Sequence, residues 1–342
     1  METMAMDPML EILTKVAPGT GLREAIDNII KARTGALLVI GGEPDIDLDC
    51  QGGFVLNVPF NAAQVYELAK MDGAILLDRD LTRIVRANVE LVPKIGALSS
   101  ETGMRHRTAE RVARTRDAIV VTVSQRRSVV TVYWKQTRYV LHDLAFILTK
   151  ATGALASLSR YDRLYRSGAR RLTEAEIRDE VQLDDVAELL RRTLIAIQIR
   201  AEIRRYVVEL GQDGHLVDLQ LEEYPDLRRE WQWIWMDYRA HATVPILDPE
   251  TTDAVQWGPD QWAKALGYRH IPEHMEPRGF RILHAVPRLP ESIIRAVIEE
   301  FGSLTRLRRA TTADLDRIRE VGPQRARAIW SMFHNEGENW VN

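Results

Sequence analysis

Two short segments of this chain carry residue types suited to phosphate chemistry. In Met71-Asp72-Gly73-Ala74-Ile75-Leu76-Leu77 a carboxylate and a glycine stand immediately before an apolar β run. Gly73 lets a ligand approach the backbone closely, and Asp72 at a strand edge would hold a divalent cation or orient a hydroxyl. Read alone, Asp-Gly is a turn signal. The second segment is Gly103-Met104-Arg105-His106-Arg107-Thr108-Ala109-Glu110-Arg111. Backbone N–H groups, the positive end of a helix dipole and guanidinium forks would together cradle phosphate there. Between Arg83 and Arg116 eight Lys or Arg face three Glu, a local positive excess in a chain of net charge −3. That asymmetry predicts an anionic ligand; a solvated helix face is the alternative.

The elements that must position these groups follow from periodicity. Leu22, Ile26, Ile29 and Ile30 behind Thr20 predict an amphipathic helix over residues 20–33, followed by a buried strand at Leu37-Leu38-Val39-Ile40. The same pattern predicts strands at Ala74–Leu77, Ile119–Val123 and Val129–Trp134, and helices at 61–70 and 106–116. Interleaved strands and helices imply an α/β (α+β) domain with a covered sheet. From about Leu141 the apolar spacing is helical. A linker is expected near 211–214, the Trp231-Trp233-Trp235 segment is expected in the core, and prolines from Pro277 to Pro290 mark a second boundary. The expected division is 1–145, 146–284 and 285–342.

Composition narrows the function classes. The chain has 342 residues, 45% hydrophobic and 28% charged, values of an ordinary globular protein rather than a disordered or fibrous one. A single cysteine, Cys50, builds neither an internal disulfide nor a cysteine zinc site, which favours a reducing cytoplasmic setting. The acidic start of the chain is not that of a signal peptide, and no apolar run approaches the ~20 residues of a membrane span. No glycine precedes a lysine, so there is no Walker A loop. His270-Ile271-Pro272-Glu273-His274 has the letters of a zinc motif, but Pro272 denies it the helix that would align both histidines.

The pairing of Asp72-Gly73-Ala74 with Arg105-His106-Arg107 is similar to that of the diadenylate cyclase family. The domain order resembles its DNA-scanning branch. Supporting stretches are Ala17-Pro18-Gly19-Thr20-Gly21-Leu22-Arg23, Arg33-Thr34-Gly35-Ala36-Leu37, Gly52-Gly53-Phe54, Arg83-Ile84-Val85-Arg86-Ala87-Asn88-Val89-Glu90-Leu91-Val92-Pro93 and Arg107-Thr108-Ala109-Glu110-Arg111. The resemblance implies a mixed central sheet covered by helices, an all-α middle domain and a small helix-hairpin-helix domain. It implies condensation of two ATP into cyclic di-AMP with Mg²⁺ or Mn²⁺, by domains facing each other in an octamer.

Carried onto this chain, the resemblance assigns to Asp72 the metal and a part in activating the attacking hydroxyl, and to Gly73 and Ala74 the nucleotide. Leu91 would contact adenine, and Met104, Arg105, His106, Arg107 and Thr108 would hold the phosphates. Arg105 and Arg107 would neutralise the leaving pyrophosphate, and Ser124 would be a further phosphate contact. Family members usually carry threonine at the place of Met104, so a hydroxyl contact is lost here. Residues 285–342 resemble a tandem helix-hairpin-helix domain of the kind that binds branched DNA, Holliday-junction-like, and lowers cyclase output when engaged. Val321, Gly322, Gln324 and Arg325 would meet phosphate, while Glu320 replaces the first glycine of the turn and repels it. The rival reading is a DNA-junction-binding scaffold that holds a nucleotide without turning it over.

Overall fold

A computed structural model describes residues 8–41, 50–93, 101, 103–126 and 129–334. The extreme ends of the expected first and third domains lie outside these residues. The chain forms two compact units, residues 1–152 with 204–219, and residues 153–203 with 220–342.

The first unit is built on a mixed sheet. Its strands are β1 (Ala36–Gly41), β2 (Cys50–Gln51), β3 (Phe54–Pro59), β4 (Ala74–Leu77), β5 (Arg83–Leu91), β6 (Ala118–Val123), β7 (Val130–Trp134) and β8 (Thr137–Val140). They are ordered β2-β5-β4-β1-β6-β7-β8, with β3 also paired to β5. β1 and β4 run parallel, and the other pairs are antiparallel. Every residue of β1 and of β4 is buried, because helices cover both faces of the sheet.

The alternation of side chains along each strand divides the core in two. Leu38, Ile40, Val121, Val123 and Val132 face α1 (Pro8–Val16) and α2 (Gly21–Lys31), with Val65 of α3 (Ala62–Leu68) in the same cluster. Leu37, Val39, Leu76, Val120 and Tyr133 pack with Ala109, Val112 and Ala113 of α4 (Met104–Thr115). Thr20 caps α2 by accepting from the Arg23 amide at 3.2 Å.

Two long helices, α5 (Leu144–Arg178) and α6 (Leu183–Leu210), each contribute to both units. Within the first, Glu209 is buried and accepts from the Tyr139 hydroxyl at 2.6 Å and the His142 amide at 2.9 Å. Residues 211–214 are not an open linker but a 3₁₀ turn leading into α7 (His215–Glu222). The glycine that suggested a linker serves close approach instead: Gly211 has φ +54°, and a Cβ there would lie 2.3 Å from the Pro18 carbonyl oxygen.

The second unit is helical. Trp231 and Trp235 of α8 (Arg228–Tyr238) are fully buried, and their indole N–H groups donate to the Leu247 and Pro245 carbonyls. Asp237 accepts the Gly279, Phe280 and Arg281 amides at 2.7, 2.5 and 2.9 Å, which fixes the start of α10 (Phe280–His284). After α9 (Pro259–Ala265) and α10 come α11 (Glu291–Phe301), α12 (Leu304–Arg309), α13 (Thr312–Asp316) and α14 (Gly322–His334). Two hairpins share one core, in which Leu283, Ile294 and Val297 of the first are matched by Leu315, Ala326 and Ile329 of the second. The His270–His274 stretch is irregular, and among the described residues no group of three His, Cys, Asp or Glu is arranged for a metal ion.

Candidate functional site

The two segments singled out by their chemistry meet at one end of the first unit's sheet. Gly73 has φ +91°, and a Cβ there would lie 2.9 Å from backbone atoms of Asn88 and Val89. Only glycine allows the turn before β4 to press against β5 at this point, where the β4–β5 register shifts and Asn88 itself has φ +55°. The turn leaves the Asp72 side chain fully exposed, 3.4 Å from the Arg105 guanidinium. Ala74 is buried as the first residue of β4.

α4 begins at Met104 behind Gly103, with no side-chain cap for its first amides. The N-terminal end of its dipole therefore lies on the side where Arg105 meets Asp72. Arg105 lies over Gly35, where a Cβ would sit 2.3 Å from Nη1, and beside the end of β6, since that Cβ would also lie 3.2 Å from the Val123 carbonyl oxygen. Ser124 follows directly, half-buried, its amide donating to the Val129 carbonyl at 2.9 Å. Arg107 is exposed and donates to the Glu101 carbonyl at 3.4 Å. Thr108 is half-buried and Met104 exposed.

His106 is held from the sheet side. Its Nδ1 lies 2.8 Å from the Tyr133 hydroxyl and 3.2 Å from Thr122 Oγ1. Tyr133 donates to Glu101 Oε1 at 3.0 Å, and Arg138 Nε donates to the same oxygen at 2.6 Å. Sequence reasoning missed these supporting residues. Thr122 and Tyr133 read only as strand core, and their common face follows from the β6–β7–β8 register, in which Tyr133 stands opposite Val120 and Arg138.

Leu91, the last residue of β5, is buried in the core shared with α4. The structure thus brings Asp72, Gly73, Arg105 and the start of α4 together, with Ser124 alongside and Leu91 in the layer beneath. A lone exposed carboxylate suits Mg²⁺ or Mn²⁺ held jointly by one side chain, substrate phosphates and water, and does not suit an all-protein metal cage.

In the second unit the residues expected to meet DNA lie at the end of the turn after α13 and in the first turn of α14. Val321 is buried, Gln324 and Arg325 are exposed, and Gly322 has φ +65°. Glu320 is exposed at φ +70°, a left-handed position where glycine is favoured, and its carbonyl accepts from Arg325 Nη1 at 2.7 Å.

Three family models match the chain. "DisA bacterial checkpoint controller nucleotide-binding" covers residues 23–138, "DisA bacterial checkpoint controller linker region" covers 141–257, and "Helix-hairpin-helix motif" covers 286–341. Among curated relatives, the DNA integrity scanning protein DisA of Symbiobacterium thermophilum is 40% identical over 331 residues, covering 93% of each chain. That of Carboxydothermus hydrogenoformans is 41% identical over 334 residues, again 93% of each. Among solved structures, DacA from Staphylococcus aureus, as a double mutant, is 20% identical over 40% of this chain and 91% of its own, with a TM-score of 0.31.

Proposed function

The chain belongs to the DisA family, and on that premise we propose how its residues carry out the family reaction. It is a diadenylate cyclase with a helix-hairpin-helix DNA-binding domain. Two ATP molecules give one cyclic di-AMP and two pyrophosphates. Each 3′-hydroxyl, giving up its proton with the help of Asp72, bonds through oxygen to the α-phosphorus of the other nucleotide as the bond from that phosphorus to pyrophosphate breaks, so positioning and charge stabilisation do most of the work.

The observation that carries the assignment of roles is the Asp72–Arg105 pair, 3.4 Å apart between the turn before β4 and the first turn of α4. Both side chains are solvent-accessible, so the pair contributes little to stability and is free to exchange partners. With nucleotide bound, Arg105 would turn to the phosphates and Asp72 would hold Mg²⁺ or Mn²⁺, which would supply Lewis-acid polarisation of the phosphates. Arg107 and the positive end of the α4 dipole receive the charge that builds on pyrophosphate. Gly73 and Ala74 line the nucleotide, Leu91 backs the adenine, and Met104, His106, Thr108 and Ser124 complete the phosphate side.

One domain holds one ATP, so two domains face each other, in an octamer of the full chain. Its hairpins, through Val321, Gly322, Gln324 and Arg325, engage branched DNA of the Holliday-junction type and lower cyclase output. The domains divide as 1–145, 146–284 and 285–342. The enzyme is cytoplasmic in this reading, the setting that a single cysteine favours; no helix among the described residues is long and apolar enough to cross a membrane. No observation favours the non-catalytic scaffold.

The test is incubation of the purified chain with ATP and Mg²⁺ or Mn²⁺, with products separated by anion exchange and identified by mass. Cyclic di-AMP from the wild type and none from Asp72→Asn is the expected result. ATP left intact, or cut only to ADP, overturns it.

A further inference from the structure

Along β5, strands β2 and β3 behave as one strand with a break. Cys50 and Gln51 stand opposite Leu91 and Glu90, and Phe54 and Val55 opposite Ala87 and Arg86, the same register on both sides of the break. Gly52 and Gly53, at φ +64° and +77°, therefore face Val89 and Asn88. The Gly52 carbonyl accepts from Arg86 Nη2 at 2.8 Å, which ties the break to β5. A Cβ on Gly53 would lie 2.6 Å from the Ala87 carbonyl oxygen and 2.9 Å from that of Asn88. From the β4 side, a Cβ on Gly73 would lie 2.9 Å from the Asn88 carbonyl carbon and from the Val89 nitrogen. The Asn88–Val89 peptide is thus seated between two glycines, and Asn88 takes the left-handed φ of +55° there.

The seat is a β-bulge. Ala74 pairs with Val89 and Leu76 with Arg86, so Ala87 and Asn88 together oppose Ile75. One extra residue turns every later side chain of a strand to the other face. Ala87 packs in the core on the α2 side, whereas Val89 and Leu91 pack on the α4 side. In an unbroken strand all three would share one face. We propose that Asn88 is a positioning residue of the cyclase, whose left-handed backbone sets the bulge that brings Leu91 to the nucleotide face and seats the Asp72–Gly73 turn. This inference rests on the cyclase site proposed above. The task is conformational: asparagine visits the left-handed region readily for a residue with a side chain, alanine at a cost, and a β-branched valine at a greater one.

A substitution series at Asn88 in the full-length protein tests it, with kcat and KM for ATP read from cyclic di-AMP formation well below each variant's melting temperature. Asn88→Gly removes the side chain and keeps the left-handed backbone, so both constants should stay within about threefold of wild type. Asn88→Val should lower kcat by about tenfold or more and raise KM, because Asp72 and Leu91 are both displaced. Asn88→Ala should lie between the two, and it decides the matter if the valine variant does not fold. A smaller folded fraction would lower kcat alone, so the rise in KM separates a displaced site from a weakened fold. Asn88→Ala with both constants within about twofold of wild type shows that the bulge does not set the site. Asn88→Gly as impaired as Asn88→Ala shows that the carboxamide itself is needed. Either result, or a fall in kcat with KM unmoved, overturns the inference and leaves the cyclase reading intact. A wild-type protein that makes no cyclic di-AMP overturns both.

Discussion

Arg105 lies across Gly35, close enough that a Cβ on Gly35 would stand 2.3 Å from Nη1 and 3.3 Å from Cζ. The guanidinium that faces Asp72 is therefore seated on bare backbone at the start of β1, beside the end of β6. In the sequence Gly35 is only a boundary residue before an apolar run. In the structure it is the floor on which the Arg105 guanidinium rests.

Gly35→Ala should leave the fold intact, because the group it meets first is the far end of a flexible side chain. Displacement of Arg105 by about 1 Å is expected to cost on the order of 10²-fold in kcat. The loss should not add to that of Arg105→Ala. Full additivity in the double variant, with unchanged thermal unfolding, would show that Gly35 acts elsewhere.

Asp72→Asn removes a charge from a fully exposed side chain, so the melting temperature should stay within about 2 °C of wild type while product formation is abolished. Arg107→Ala should lower kcat by about 10²-fold, the scale for removing one preorganised transition-state donor. Measuring both variants against ATP concentration separates lost binding from lost turnover.

Gly73→Ala is expected to lose stability where Asp72→Asn keeps it. Its φ of +91° and the 2.9 Å approach to the Asn88 and Val89 backbone admit no Cβ without movement of β5. A loss of about 2 kcal/mol or more in unfolding free energy is expected, together with loss of activity. Urea unfolding checks this, and a stable but inactive protein would place Gly73 at the ligand alone.

The elements framing this site were legible where burial made them so. β1, β4, β6 and β7 carry apolar runs because helices cover both faces, and the Thr20 cap marked α2. β3 was not legible: it is largely exposed at the sheet's edge and has no such run. Asp72 and Arg105 could be paired from their motifs, but Glu101, Tyr133 and Arg138 could not. Their meeting depends on strand register, a property of the paired chain segments rather than of either segment by itself. Glycine misled at 211–214 because the same residue type serves flexible linkers and close backbone packing.

Stability on the acid side should depend on Asp78, in the turn from β4 to β5. Burial alone would raise its carboxyl, but hydrogen bonds from the Thr82 hydroxyl and from the Thr82 and Arg83 amides outweigh it and hold the carboxyl below its ordinary value of 3.8. A folded-state value lower than the unfolded one gives stability that is present above pH 3.8 and lost as pH falls through the folded value. Asp78→Ala should therefore cost about 1 kcal/mol at neutral pH and flatten the loss below pH 4. Parallel denaturation curves for the two proteins from pH 7 to pH 3 would show that the turn is held by other contacts.

Glu320 is expected to limit DNA affinity. At φ +70° it occupies a glycine position in the hairpin turn, exposed, with its carboxylate on the surface that would approach phosphate. Glu320→Gly removes the left-handed cost of about 1–2 kcal/mol, offset in part by the greater freedom of glycine when unfolded, so stability should hold or rise slightly. The lost repulsion should tighten binding to a four-way junction by about 3- to 10-fold at low salt, and by less as salt screens the carboxylate. Anisotropy titrations of junction and duplex at two salt concentrations read both effects. Equal affinity for wild type and variant at low salt would place the DNA-facing surface away from this turn, on the first hairpin, where Arg288 occupies the corresponding left-handed position at φ +59°.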